Sequence, residues 1–282
     1  MMPDGYPPIV AYERLPGAPD YEAMQHFSQA FLRANQHALS GYTAQWVADP
    51  LHHWSRRWEY PWVAERLQVA LVPGEAAQLL DAGSGLTFFP HWLATRFPQA
   101  VIHCGDCDPA VGRAAGRLTA PAVPQVRYAM QDLAALTYPD AALDVVYCIS
   151  VLEHCDRPAS VVAELVRVLK PGGRLLLTMD IGLDGRSPIP RADAGRLLAL
   201  LAEHLTPDGD YARLPAECDE ARIVTTAYTR RVDPTLLPWR RRLPRGAEWQ
   251  RLLRHPGLLL RPTFRSLTCV CVGYTRPVRA AG

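Results

Sequence analysis

Short apolar runs alternate with helix-prone segments through residues 75–180, and this alternation constrains the fold more than any other feature of the 282-residue chain. Residues 143–150 form an almost uninterrupted apolar run, as expected for a strand that is buried on both faces of a sheet. Strands that are separated by helices are joined by right-handed crossovers and pair in parallel. The sequence therefore predicts an α/β fold, with helices on both faces of a mostly parallel sheet.

The same alternation predicts the bounds of the elements. Core strands are expected at residues 78–81, 101–104, 125–130, 143–150 and 174–179, and a last strand at 266–274. A sixth strand is expected either near residues 223–228 or near 258–260. A long N-terminal helix is expected at residues 21–47, with a break near Gly41. We divide the chain into an N-terminal helical segment (1–74), a core (75–180), and a C-terminal part (181–282) that contains an insertion before the last strand.

The composition of the chain indicates which class of protein it belongs to. The chain is 49% hydrophobic and 21% charged, which is typical of a globular protein with a packed core. It has no uncharged apolar run of about 18 residues and no signal-peptide pattern, so we expect a cytoplasmic protein without a membrane span. The cysteines are odd in number and mostly lie in predicted strands, which favours reduced thiols over disulfides. Cys104 and Cys107 have metal-ligand spacing, but no second pair accompanies them, so no metal is expected.

Charge is distributed unevenly along the chain. Residues 222–282 contain 13 arginines and 2 acidic residues, a net charge of +11, whereas the preceding 221 residues carry −9. A basic C-terminal region is typical of a protein that binds an anionic partner. The alternative interpretation is a general preference for arginine, because Lys170 is the only lysine in the chain.

The end of the first predicted strand carries a glycine-rich loop. In open α/β sheets, ligands bind outside the carboxyl ends of the strands, so residues just past each strand matter most. Here Asp81 is followed by Gly83, Ser84 and Gly85, and glycine lets a ligand approach the backbone more closely than a Cβ would permit. A dinucleotide-binding loop would have a third glycine where Phe88 stands. The loop therefore predicts a ligand that needs no pyrophosphate cradle.

Acidic residues also follow the second and third strands. A carboxylate in the position of Asp106 can accept hydrogen bonds from both ribose hydroxyls of an adenosine, whereas Asp108 precedes a proline and is typical of a helix N-cap. After the third strand, Asp132 can accept a hydrogen bond from the adenine amino group, while the backbone N–H of Leu133 donates to a ring nitrogen. A single acid at such a place is equally consistent with a loop cap. Three acids at successive strand ends favour an adenosine site.

These motifs follow one another in a characteristic order. They stand as Asp81-Ala82-Gly83-Ser84-Gly85, Asp106, Asp132, Leu136-Thr137-Tyr138-Pro139-Asp140-Ala141-Ala142-Leu143-Asp144, Val151-Leu152-Glu153-His154 and Arg167-Val168-Leu169-Lys170-Pro171-Gly172-Gly173. In this series the chain resembles the class I, S-adenosylmethionine-dependent methyltransferases of the ubiquinone-biosynthesis type. It departs from the family at Thr87, where many members have a third glycine, and this departure concerns the shape of that loop.

The resemblance implies a Rossmann-like, seven-stranded sheet whose last strand inserts antiparallel. It also implies S-adenosylmethionine as the cofactor, with S-adenosylhomocysteine as the product. The cofactor site would comprise the residues identified above, together with Cys107, just past the second strand, and Ser150, at the end of the fourth. The sulfonium makes the methyl carbon electrophilic, so the protein mainly aligns a nucleophile and excludes water. His154 is a candidate general base, and the alternative is a structural histidine at the turn after the fourth strand.

An aromatic and arginine-rich segment, residues 54–62, precedes the core. One interpretation is a lid over the cofactor, in which Arg57 meets the methionine carboxylate and aromatic rings face the sulfonium. The other interpretation is a hydrophobic cap on the sheet. We expect this segment and residues 225–239 to bind the acceptor, with Tyr60 at the junction between cofactor and acceptor. The candidate substrate-binding residues are Tyr60, Trp54, Trp58 and Trp239.

The sequence thus predicts a methyltransferase whose acceptor is a small metabolite, with neither a membrane nor a nucleic acid as its partner. An RNA or protein methyltransferase that uses the arginine-rich C-terminal region is an alternative. Against it, residues 240–242 form the only tight arginine cluster, and residues 150–153 lack the Pro-Pro motif of many nucleic-acid methyltransferases. A catalytically silent scaffold that binds the cofactor is a further alternative. A dinucleotide-dependent dehydrogenase is least favoured, because the third glycine is missing.

Overall fold

The computed structural model describes residues 1–43, 49–118, 123–185, 189–214, 218–238 and 266–278. Its strands are β1 (Ala77–Ala82), β2 (Ala100–Asp106), β3 (Val126–Met130), β4 (Leu143–Ile149), β5 (Leu169–Gly182), β6 (Thr206–Pro207) and β7 (Leu267–Thr275). Within the described ranges these seven strands form one sheet in the order β3-β2-β1-β4-β5-β7-β6. The pairs among β1 to β5 are parallel, and β7 is antiparallel to both of its neighbours. The predicted Rossmann-like sheet with an antiparallel last strand is confirmed.

Successive side chains of the central strands point to opposite faces of the sheet, and this divides the core into two layers. Leu79 of β1 belongs to one hydrophobic cluster and its neighbour Leu80 to the other, because successive side chains of a strand point to opposite faces. The same division separates Val145 from Val146 in β4. Both faces are therefore covered by apolar packing, which explains why β4 reads as an almost continuous apolar run.

Helices cover these two faces. They are α1 (Ile9–Arg14), α2 (Pro19–Ala34), α3 (Gln36–Thr43), α4 (Arg56–Ala70), α5 (Phe89–Arg96), α6 (Pro109–Ala115), α7 (Pro158–Val168), α8 (Arg191–His204) and α9 (Thr226–Val232). Buried side chains of α4 and α5 pack on the layer of Leu79, and those of α7 and α8 pack on the layer of Leu80. The long N-terminal helix is interrupted, as predicted, but the break lies at Asn35 and not at Gly41. Asn35 leaves helical geometry at φ −110°, and its side-chain amide donates to the carbonyl of Phe31.

The sixth strand differs from both expectations. It is only Thr206–Pro207, at the edge of the sheet beside β7. Residues 223–228 are not a strand: Ile223 and Thr225 form single bridges, and Thr225 then caps α9 by accepting a hydrogen bond from the Tyr228 N–H at 3.0 Å. The other candidate, residues 258–260, lies outside the described residues.

Three further observations concern the cysteines, membrane spans and metal ligands. The seven cysteines are free, and the four predicted strand cysteines are buried. Among the described residues, no helix combines the length and the apolar character needed to cross a bilayer. In the same part of the chain, no three His, Cys, Asp or Glu side chains are grouped to hold a metal ion.

Candidate functional site

A cavity of about 560 Å³ lies at the carboxyl ends of β1, β2 and β4. Its floor is made by the loops that follow these strands, and its roof by side chains of α2, α3, α4 and the segment before α4. This is the place where open α/β sheets bind their ligands. The predicted site residues that line it are Asp81, Gly83, Ser84, Gly85, Asp106, Cys107, Asp132, Leu133, Ser150, His154 and Tyr60.

The loop after β1 needs its two glycines. Gly83 and Gly85 have φ values of +76° and +54°, a region that side chains rarely adopt. A Cβ on Gly83 would lie 2.5 Å from a methyl group of Val151, and one on Gly85 would collide with the hydroxyl of Tyr42. The loop is tied to the end of β2, because the N–H groups of Gly83 and Ser84 both donate to the Gly105 carbonyl. The backbone of this loop therefore faces the cavity without side chains in the way.

The two acids after β2 occupy different positions. Asp106 faces the cavity, and its carboxylate accepts the backbone N–H groups of Gly85 at 2.8 Å and Asp108 at 2.9 Å. Asp108 is the N-cap of α6 and accepts the N–H of Ala110 at 2.8 Å. A carboxylate offers about four acceptor positions, so Asp106 has capacity left for two hydroxyl donors.

Asp132 follows β3 and is 59% exposed at the side of the cavity. It accepts the N–H of Ala134 at 2.9 Å and lies 3.5 Å from the guanidinium of Arg157. The neighbouring Leu133 is buried and lines the same wall. Asp132 thus offers a hydrogen-bond acceptor directly beside the apolar surface of Leu133. This combination suits a planar heterocycle that carries an amino group.

Asp81 is a buried carboxyl at the base of the cavity. Its burial, together with the nearby charge of Asp106, raises its pKa to about 8. The carboxyl is therefore mostly protonated at pH 7, although the charge of Arg56 acts in the opposite direction. A cation in the cavity would favour the ionised form.

A buried network joins the roof of the cavity to the sheet. Glu59 of α4 is 0% exposed, and its carboxylate accepts hydrogen bonds from Arg56, Ser150 and Thr178, each at 2.6 Å. Burial alone would raise the pKa of Glu59, but the Arg56 charge and these hydrogen bonds outweigh it and hold the pKa below its usual range. Arg56 also lines the cavity, so a fixed positive charge faces the acids of the floor.

Arg57 does not line this cavity, contrary to the role that we expected for it. Its guanidinium lies over the rings of Tyr12 and Tyr21, at 5.5 and 6.0 Å, beside a second cavity of about 220 Å³. Consecutive residues of a helix point about 100° apart, so two adjacent arginines do not both face this cavity. That residue is Arg56.

The aromatic residues of segment 54–62 divide between the core and the cavity. Trp54 and Trp58 are 0% exposed, belong to the hydrophobic core and do not line the cavity, so the structure does not bring them to the acceptor site. Tyr60 lines the cavity and stacks on Phe89 at 4.5 Å between ring centroids. The segment thus covers the sheet with its tryptophans and covers the cavity with Tyr60. Trp239 lies outside the described residues.

Two histidines lie at opposite parts of the cavity. His154 ends the short 3-10 helix Leu152–His154 and is exposed at the cavity wall. His53 is buried in the roof, where burial and the Arg56 charge lower its pKa to about 3. His53 is therefore a neutral imidazole at pH 7.

Sequence reasoning missed four residues of the site, namely Tyr42, His53, Arg56 and Glu59. The first three line the cavity from the N-terminal segment, and Glu59 holds Arg56. The only available signal was the pattern of α4, in which Arg56 and Glu59 lie three residues apart on one helix face.

The cavity has the donor and acceptor groups that S-adenosylmethionine requires. The loop through Gly83 and Gly85 has no room for a Cβ at either glycine, so its backbone forms a glycine cradle that is open to a ligand. Asp106 can accept further hydrogen bonds, and Arg56 supplies a positive charge opposite the acids. These features suit a ligand with an adenosine at one end and a zwitterionic amino acid at the other.

The comparisons with known proteins agree with this geometry. A family model described as a methyltransferase domain matches residues 80–177. The chain is 31% identical over 116 residues to the malonyl-[acyl-carrier protein] O-methyltransferase of Halorhodospira halophila, covering 40% of this chain and 39% of that protein. It is 34% identical over 110 residues to the ubiquinone biosynthesis O-methyltransferase of Hahella chejuensis, covering 39% and 44%. The match thus spans less than half of each of these relatives.

A solved structure supports the fold over a longer stretch. A protein of Galdieria sulphuraria, described as a sarcosine dimethylglycine methyltransferase, superposes with a TM-score of 0.56 over 86% of this chain and 98% of that chain, at 16% identity. At this identity the likeness shows the fold alone. Together, the family match over residues 80–177 and the seven-stranded sheet support a class I, S-adenosylmethionine-dependent methyltransferase domain in this part of the chain.

Proposed function

We propose that the protein transfers a methyl group from S-adenosylmethionine to a small-molecule acceptor. The observation that carries the proposal is the cavity at the strand ends, where a glycine cradle, acids after three successive strands and Arg56 face one space. When bound, the cofactor supplies an electrophilic methyl group. The chain's own residues then have three tasks, which are to bind the cofactor, to orient the acceptor and to exclude water.

Each end of the cofactor has a candidate partner. Asp106 would accept hydrogen bonds from the ribose hydroxyls, and Asp132 with the Leu133 N–H would recognise the adenine edge. The loop through Gly83, Ser84 and Gly85, with Cys107 and Ser150 beside it, would enclose the centre of the ligand. Arg56, in place of Arg57, would receive the carboxylate of the amino-acid end, because its guanidinium lines the cavity.

The acceptor would lie under the roof. Tyr60 and the neutral His53 present polar groups there, and Leu32 presents an apolar one. His154 at the cavity wall is the candidate general base for an acceptor that must lose a proton. A roof of closely packed N-terminal helices favours a small acceptor over a polymer.

Calorimetry tests cofactor binding. We expect S-adenosylmethionine and S-adenosylhomocysteine to bind in the low-micromolar range, which corresponds to about −7 to −8 kcal/mol. NAD serves as the control ligand, since it contains an adenosine but requires a pyrophosphate cradle. Heat with NAD and none with either sulfur ligand would refute the proposal.

Transfer of label tests the acceptor class. The protein is incubated with S-adenosylmethionine that carries a tritiated methyl group, together with a small-metabolite extract, total RNA or denatured protein. We expect label in the small-metabolite fraction. Label in RNA would support the alternative enzyme with an arginine-rich binding region, and cofactor binding without transfer to any fraction would support the silent scaffold.

The raised pKa of Asp81 predicts a pH dependence of binding. In the empty cavity Asp81 is protonated below about pH 8, and the ammonium group of the ligand favours its ionised form. Binding should therefore release a proton, and affinity for S-adenosylhomocysteine should rise between pH 6 and 7.5 by up to about tenfold per pH unit. Calorimetry in phosphate and in Tris should give different enthalpies for the wild type. The Asp81→Asn variant should give equal enthalpies in both buffers, and a wild type without proton release would contradict this account.

A further inference from the structure

The network around Glu59 links three elements that are distant in sequence. Glu59 lies in α4, Ser150 follows β4 and Thr178 lies within β5, so one buried carboxylate joins the roof of the cavity to the end of β4 and to β5. Both hydroxyls donate to the same oxygen, Oε1, and Arg56 donates to the other, Oε2. Oε1 thus holds the two hydroxyls in place, and Oε2 holds the guanidinium.

Two partners of Glu59 also line the cavity. The Arg56 side chain is 23% exposed and faces the cavity, while its Nη1 is bonded to Glu59. A free arginine side chain has many rotamers, and an ion pair to a buried anchor leaves the planar guanidinium in one orientation. Without Glu59, the guanidinium would lose its charged partner and keep a 3.5 Å hydrogen bond to the buried Ser55 hydroxyl.

Ser150 is the second partner. It has a φ of +48°, which is unusual for a residue with a side chain, and it lines the cavity at the end of β4. Its N–H donates to Thr178 and its hydroxyl to Glu59. The carboxylate therefore stabilises a strained strand end that forms part of the floor.

We propose that Glu59 is a positioning residue for the amino-acid end of the ligand: it fixes Arg56 so that the cavity recognises a carboxylate, and it holds Ser150 in the floor. This inference rests on the proposed function. Since Arg56 serves the amino-acid end while Asp106 and Asp132 serve the adenosine end, loss of Glu59 should affect one end of the ligand selectively.

Two ligands distinguish an effect on the amino-acid end from an effect on the adenosine end. S-adenosylhomocysteine carries the amino acid, whereas 5′-methylthioadenosine has the same adenosine and a thioether without it. In the Glu59→Gln variant, we expect the affinity for S-adenosylhomocysteine to fall by about tenfold and that for 5′-methylthioadenosine to change by less than about twofold. Calorimetry on the full chain measures both, and thermal unfolding shows whether the variant is folded.

Glu153→Gln is the matched control. Glu153 is also a buried glutamate near the ends of β4 and β5, where it accepts the Asp180 N–H at 3.0 Å, but it does not line the cavity. Its replacement should leave the ratio of the two affinities unchanged. If Glu59→Gln is poorly folded, Thr178→Val removes one of the donors with little change of shape, and a smaller loss with the same selectivity is expected.

The outcomes are distinct. Equal weakening of both ligands in folded Glu59→Gln, or no weakening of either, would overturn the positioning role. Failure of the wild type to bind either ligand would instead refute the proposed function. A double variant, Arg56→Gln with Glu59→Gln, should lose no more selectivity than Arg56→Gln alone, because Glu59 acts on the ligand through Arg56.

Discussion

Replacing Asp106 with alanine is expected to weaken the binding of S-adenosylhomocysteine by about 30- to 1000-fold, or about 2–4 kcal/mol. The physical reason is twofold. The two ribose hydroxyls would lose a charged acceptor, and the backbone N–H groups of Gly85 and Asp108 would lose the carboxylate that orders the loops around them. Isothermal titration of the folded variant measures the effect.

Asp108→Ala is the control for this prediction. It lies two residues away and its carboxylate caps α6 through the Ala110 N–H. Loss of this cap should lower the free energy of unfolding by about 1 kcal/mol and leave cofactor affinity nearly unchanged. If Asp108→Ala loses the ligand while Asp106→Ala keeps it, the ribose carboxylate has been assigned to the wrong residue.

The part of the site formed by the sheet could be predicted from sequence because its residues are adjacent to strand ends. Strand positions follow from apolar runs, and parallel strands bring their carboxyl ends to one edge. Asp81, Asp106, Asp132 and the glycine loop are local features of that edge, so their convergence needed no long-range information.

The roof could not be predicted in the same way. The contacts of Glu59 with Ser150 and Thr178 span 91 and 119 residues, and nothing in the local pattern of α4 indicates them. Nor does composition distinguish Arg56 from Arg57, because the choice depends on how α4 is rotated against the sheet. Aromatic residues posed the same problem, since Trp58 and Tyr60 lie in one segment but only Tyr60 reaches the cavity.

The edge of the sheet was missed for a different reason. β6 has two residues, both exposed, so it has no apolar run to recognise. The β-branched stretch around Thr225 has strand-like composition, but its threonine hydroxyl caps α9. A side chain that bonds to the backbone at a helix start thus overrode the strand propensity of that stretch.

Replacing Trp58 with alanine should lower the free energy of unfolding by about 3–5 kcal/mol, because it removes the largest kind of side chain from a fully buried position and leaves a cavity. Such a loss is a large fraction of the about 5–15 kcal/mol that stabilises a typical domain. Urea unfolding monitored by circular dichroism measures it. Val69→Ala in the same helix is the matched control: Val69 is 61% exposed, so its truncation should cost less than about 0.5 kcal/mol. A Trp58→Ala variant that unfolds like the wild type but loses methyl transfer would mean that Trp58 contacts the acceptor after all.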